Sequence, residues 1–442
     1  MAPGGDKARA GRYTAAPMPA RPSFVPALTL LALLSGCAPM RPSPDWAAVH
    51  EITPAALLAT AASDPSLAAG DGGRVALTWV THDETGGADV WLALSADSGA
   101  HFAPPARVNL RDGGVSSYAE SRPVAAFGPG QRLIVAWAAR RAGAHGADDI
   151  AVRSSTDGGA TLGAETLLNS DAADAASTYH GFIALAFDPA GAALAAWIDG
   201  RAAALAPGED EPARSTIRLA RSDDGGGTWG HDRLVAGNVC SCCRIALSAA
   251  SPGSVAIAYR GARDDLRDPR LALSRDGGLS FPYDTLVSAD HWLLSGCPSI
   301  GPGLTPDRGT GGLYAWYTAG VHAAAGPGVY VADWHPGGLP GPARPLADSL
   351  LEPTHPLLAA MGSAALAAVA ARPRGDSARH VLALRLLEKD GAMTPWLLLG
   401  AHAQSGAIAG AGPRMGYAAW LEKTPDGPRV RAVRIERRAT LR

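Results

Sequence analysis

The chain has 442 residues, 47% of them hydrophobic, and a formal net charge of −2. That length and apolar content allow a large buried core, and length alone would permit two domains. A near-neutral balance with no basic run excludes nucleic acid as an expected partner.

Residues 27–34, Ala-Leu-Thr-Leu-Leu-Ala-Leu-Leu, form an apolar run behind Arg21 and Pro22. The run is too short to span a bilayer. Leu34-Ser-Gly-Cys37 follows at once and resembles the bacterial lipobox. The resemblance implies cleavage before Cys37 and a lipid on the new N-terminal Cys. The protein is then expected in the periplasm or at the cell surface, anchored in a membrane, with the outer membrane favoured. Residues 1–36 become a signal peptide and 37–46 a Pro-rich tether. Met1 and Met18 both remain open as the start. Residues 47–442 are expected to form one domain.

Short apolar strands then recur, most with an aromatic residue near the end: Val75–Val80, Leu133–Ala138, Ala193–Ile198, Val255–Tyr259, Leu313–Tyr317, Ala364–Ala370 and Tyr417–Leu421. A small-residue strand precedes each unit and a third strand follows. Four of those third strands run into a Ser-x-Asp-x-Gly pattern, with aspartates Asp97, Asp157, Asp224 and Asp276. Asp accepts turn N–H groups and Gly supplies positive φ, so each pattern closes a hairpin between strands three and four. Four antiparallel strands per unit, repeated, predict an all-β chain folded as a β-propeller. Seven units are present, and the last lacks a fourth strand that residues 46–58 could supply.

The patterns, above all Ser222-Asp-Asp224-Gly-Gly-Gly-Thr-Trp229, resemble the Asp-box of the sialidase-like propeller family. That family favours six blades, so six stands as the alternative to seven. Its boxes lie away from the active site. Strand alternation then puts the chemistry on the opposite face, at the starts of first strands and the loops between strands two and three.

Those positions carry Glu120-Ser-Arg122, Tyr179-His180, Cys240-Ser-Cys-Cys-Arg244, Cys297 and Thr354-His355, with Asp199 and Arg260 in the loops. The family resemblance implies an exo-α-sialidase or related glycoside hydrolase. Arginines then bind the sugar carboxylate, for which Arg122, Arg244 and Arg260 are candidates. Glu120 or Asp199 would do acid–base work. A tyrosine would be the nucleophile, with Tyr259 first and Tyr179 and Tyr317 beside it. No cofactor is required for that chemistry, and a monomer acting on a glycan or other small extracellular ligand is expected.

Two other readings stand beside it. One is a non-catalytic glycan- or protein-binding propeller. The other is a copper or zinc site built from Cys240, Cys242 and Cys297 with His180 and His355. An even count of cysteines in an oxidising compartment also suggests disulfides among Cys240, Cys242, Cys243 and Cys297. Adjacent blades should bring Cys297 near the cluster. If residues 240–243 were extended, Cys243 would face away from Cys240 and Cys242.

Overall fold

A computed structural model describes residues 45–438 apart from 59–60, 119, 143–145, 173–177, 205–214, 307–310 and 338. The expected signal peptide, Cys37 and the tether up to residue 44 lie outside the described residues. The described residues form seven sheets, each built on an antiparallel four-stranded blade. Blade 1 shows the plan: Ala62–Ala69 innermost, then Val75–His82, Ala88–Ser95 and Ala106–Arg107. The six-bladed alternative does not hold.

The second strands are continuous apolar runs because both of their faces are covered. Val75, Leu77 and Trp79 pack toward blade 7, while Ala76 and Val80 pack toward blade 2. Successive side chains of a strand point to opposite faces, so a strand sandwiched between blades loses the polar alternation of a half-exposed one. Seven hydrophobic clusters follow this rule, each shared by two neighbouring blades.

The ring closes through its own ends. Trp46–Glu51 pairs antiparallel with Gly427–Arg437 and becomes the outer strand of blade 7. Trp46, placed in the tether by sequence, is the first residue of that strand and is fully buried. That pairing covers the outer edge that Gly427–Arg437 would otherwise expose.

All four Asp boxes sit in hairpins between strands three and four. In the box of blade 3, Asp224 Oδ1 accepts from Thr228 N and Gly227 N at 2.9 Å, and from Ser222 Oγ at 2.7 Å. These donors hold its carboxyl far below the usual carboxylate range, led by the Thr228 N–H. The box glycine of blade 2 shows why that position is fixed. Gly159 has φ +96°, and a Cβ there would lie 2.3 Å from Leu94 Cδ1 of blade 1. The boxes therefore join neighbouring blades on the face opposite the first-strand starts.

Candidate functional site

The first strands do not begin as regular ladders. Register breaks occur between Ser63 and Ser66, Gly181 and Ala184, Leu351 and Thr354, and Gln404 and Gly406. Asp64, Phe182, His355 and Ser405 sit in or beside these breaks with φ between 44° and 53°. Left-handed backbone at non-glycine residues is costly and persists where surrounding structure over-determines it. These bulges re-aim side chains at the mouth of the central channel.

There, starts from blades 2, 4, 6 and 7 enclose a cavity of about 340 Å³ whose lining includes Glu120, Arg122, Arg244, His355, Gln404 and Ser405. Glu120 is buried and accepts from Arg244 Nη1 at 2.6 Å and Gly301 N at 2.6 Å. Arg244 is pinned further, donating Nη2 to the carbonyls of Gly301 and Pro356. Arg122 donates Nη1 to the carbonyls of Pro65 at 3.0 Å and Gly406 at 2.8 Å. Its Nε and Nη2 have no hydrogen-bond partner among the described residues. Burial lowers the Arg122 pKa, and the Arg244 charge adds to the effect against Glu120 and Asp64. Burial also lowers that of His355; Glu120 opposes this, and Arg244 and Arg122 reinforce it, which favours the neutral ring. Ser405 Oγ is buried with no partner among the described residues.

Glu120, Arg122, Arg244 and His355 thus come together. The other sequence candidates lie elsewhere. Arg260 is buried, with its guanidinium donated to the carbonyls of Ile300, Arg267 and Tyr317 and stacked 4.7 Å over Trp292. Tyr259 is buried within blade 4 and donates to Asp284 Oδ1 at 2.8 Å; burial raises its pKa. Tyr179 is half-buried beside Tyr118 and Phe182 with its hydroxyl out of solvent, and desolvation raises its pKa too.

Asp199 and His180 belong to a separate charged network. His180 Nε2 lies 3.2 Å from both Asp171 and Asp199. Burial works against the charged ring, but the two carboxylates push its pKa up to about 9. Arg201 joins Asp199 at 2.9 Å, Asp171 at 3.1 Å and Asp232 at 2.6 Å, and Trp197 Nε1 donates to Asp199.

The cysteines depart from the extended expectation. Residues 241–243 form a turn, so Cys243 does not face away. The sulfurs of Cys240, Cys242 and Cys243 lie within 4.8 Å of one another. Cys242 is disulfide-bonded to Cys297, with Cα atoms 6.2 Å apart, while Cys240 and Cys243 are buried thiols. Neither His180 nor His355 joins this sulfur set. A hydrogen bond from Cys243 brings the Cys240 pKa down to about 7 against burial, helped by Arg260 and Arg267. Burial pushes Cys243 up.

Gln404, Ser405 and His380, which also lines the cavity, were not picked out by sequence. Gln404 and Ser405 sit at the start of the last first strand, a position the repeat itself marks.

No protein-family model matches the chain, and no curated protein matches it. Solved structures do. The polysaccharide lyase Uly1 aligns with a TM-score of 0.53 at 11% identity, covering 86% of this chain and 90% of that one. A PL25 ulvan lyase aligns with a TM-score of 0.52 at 12% identity, covering 84% and 93%. Trypanosoma rangeli sialidase aligns less well, with a TM-score of 0.46 at 13% identity, covering 85% of this chain and 55% of that one. The first two likenesses show the propeller fold.

Proposed function

We propose that the channel mouth binds a carboxylated glycan. The observation that carries this reading is the placement, in one cavity, of an arginine with unused donors and a half-buried histidine. A cavity of about 340 Å³ suits a sugar unit rather than a protein surface. Arg122 supplies a planar donor pair for a carboxylate. The Glu120–Arg244 pair holds the wall that faces it.

On a uronate, these residues provide the parts of an elimination. Arg122 neutralises the carboxylate and so acidifies the adjacent C–H. His355 accepts that proton, a carbon–carbon double bond forms, and the β-oxygen leaves and is protonated from solvent. The solved lyase neighbours act on polysaccharides, which agrees with this choice. Sialidase hydrolysis is the less complete reading: it asks for more arginines and a tyrosine, and among the described residues the cavity is lined by neither Arg260 nor any tyrosine.

Screening the purified chain against polyuronates, sialosides and neutral glycans tests the proposal. Binding to acidic glycans, and ultraviolet absorbance from an unsaturated product, are expected. Preference for neutral glycans would overturn it. Export and lipidation at Cys37 complete the proposal. They rest on residues 27–37 and agree with the oxidising compartment that the Cys242–Cys297 bond requires.

A further inference from the structure

Four sulfurs meet where blade 4 adjoins the loop that leads into blade 5. Cys240 Sγ lies 3.6 Å from Cys242 Sγ and 3.5 Å from Cys243 Sγ. Cys242 in turn carries the bond to Cys297. Cys240 and Cys243 are buried, while Cys297 is exposed. A buried dithiol thus touches one sulfur of a disulfide whose other sulfur faces solvent. A purely structural bridge needs no thiols against it. Two reduced thiols in contact give this bond alternative partners, and exchange proceeds by thiolate attack on a disulfide sulfur.

We propose that the four cysteines form an internal thiol–disulfide exchange relay that opens the Cys242–Cys297 bond from within and frees Cys297 on the surface. In the first step the Cys240 thiolate attacks Cys242 Sγ. The Cys240–Cys242 bond forms, the Cys242–Cys297 bond breaks, and Cys297 leaves with the electron pair and takes a proton from solvent. In the second step Cys243 loses its proton and attacks Cys240 Sγ. The Cys240–Cys243 bond forms, and Cys242 leaves as a thiolate and is protonated. One disulfide and two thiols exist before and after, so no outside oxidant or reductant is consumed.

The sequence suits the second step, because Cys240-Ser-Cys-Cys243 is a Cys-x-x-Cys spacing. A metal reading uses the cluster less fully, since Cys242 is already bonded and two thiolates do not close a tetrahedral site. The relay also reaches the mouth cavity. Cys297 Sγ lies 3.2 Å from Ser299 Oγ, Ser299 lines the cavity, and Gly301 N–H holds Glu120. Opening the bond releases the segment that bounds one wall.

The test uses the full chain, oxidised and freed of reductant, in native buffer with a maleimide. Trypsin separates Cys297, in peptide 276–308, from the other three, in peptide 234–244. Label is expected to accumulate on Cys297 while peptide 234–244 acquires an internal disulfide. Cys240→Ser should slow labelling of Cys297 by about tenfold or more, whereas Cys243→Ser should still release it by the first step. Melting curves of both variants confirm that each is folded. The proposal is overturned if Cys297 stays unlabelled, if it labels equally fast in Cys240→Ser, or if label goes to peptide 234–244 with the original bond intact. Zinc or copper retained one per chain, with both thiols unreactive, would also overturn it.

Discussion

Two clusters of ionisable side chains lie on the same side of this propeller, and they are built differently. In blade 3, His180, Arg201 and Trp197 meet Asp171, Asp199 and Asp232, and each of the three side chains lies within 3.2 Å of a carboxylate. At the channel mouth, Glu120 is satisfied by Arg244, but Arg122 and Ser405 keep unused capacity facing a cavity. Perturbed ionisation is common to both. The first cluster is a closed network that stabilises a blade. The second has open valences where a ligand can sit. Burial and shifted pKa values therefore do not mark a site by themselves; unspent hydrogen-bonding capacity beside an open volume does.

The largest expected effect breaks the closed network. Asp199→Ala leaves His180 and Arg201 short of a carboxylate inside the protein, and should cost about 3–5 kcal/mol of stability. Denaturant unfolding measures this. Glycan binding per folded molecule should be unchanged, and a specific loss of binding in folded protein would place Asp199 at the site after all.

The converse change is made at the mouth. Arg122→Lys should weaken binding of an acidic glycan by about tenfold, because an ammonium cannot replace the fork. Its melting temperature should fall less than that of Asp199→Ala. Equal affinity for acidic glycan in the variant would remove Arg122 from the proposal.

Acidity separates the clusters a second way. The His180 pKa is about 9 in the folded chain against 6.5 for a free ring, so its contribution is fully present below pH 6.5 and is lost as pH rises through about 9. Stability of the wild type should therefore decline over that range, and His180→Gln should flatten the decline. A slope unchanged in the variant would show that the ring is not charged in the fold.

The smallest effect belongs to the opposite face. Asp224 is largely exposed, so Asp224→Ala should cost only about 1 kcal/mol through lost turn hydrogen bonds. Calorimetric melting checks it, with ligand binding unaffected.

Much of the fold was legible because its signals are local. The apolar runs ending in Trp79, Trp137, Trp197 and Trp316 mark second strands, and each Asp box marks a hairpin. Even the closing strand at Trp46–Glu51 could be anticipated from the missing fourth strand of the last unit. The site was legible only in part, because what a side chain does there depends on blades far away in sequence. Arg122, Arg244 and Arg260 look alike along the chain. Arg260 is removed from the cavity by carbonyls of Ile300 and Tyr317 in the neighbouring blade. The bulges at His355 and Ser405, and the turn that gathers Cys240, Cys242 and Cys243, also have no simple periodic signature.

The most direct test is calorimetry with a matched pair of oligosaccharides, one carrying uronate carboxylates and the other the same chain with those groups reduced to alcohols. The account predicts saturable binding of the acid, at one site per chain, and loss of most affinity for the reduced form. Equal binding of both, or binding of the acid undiminished in Arg122→Ala, would contradict it.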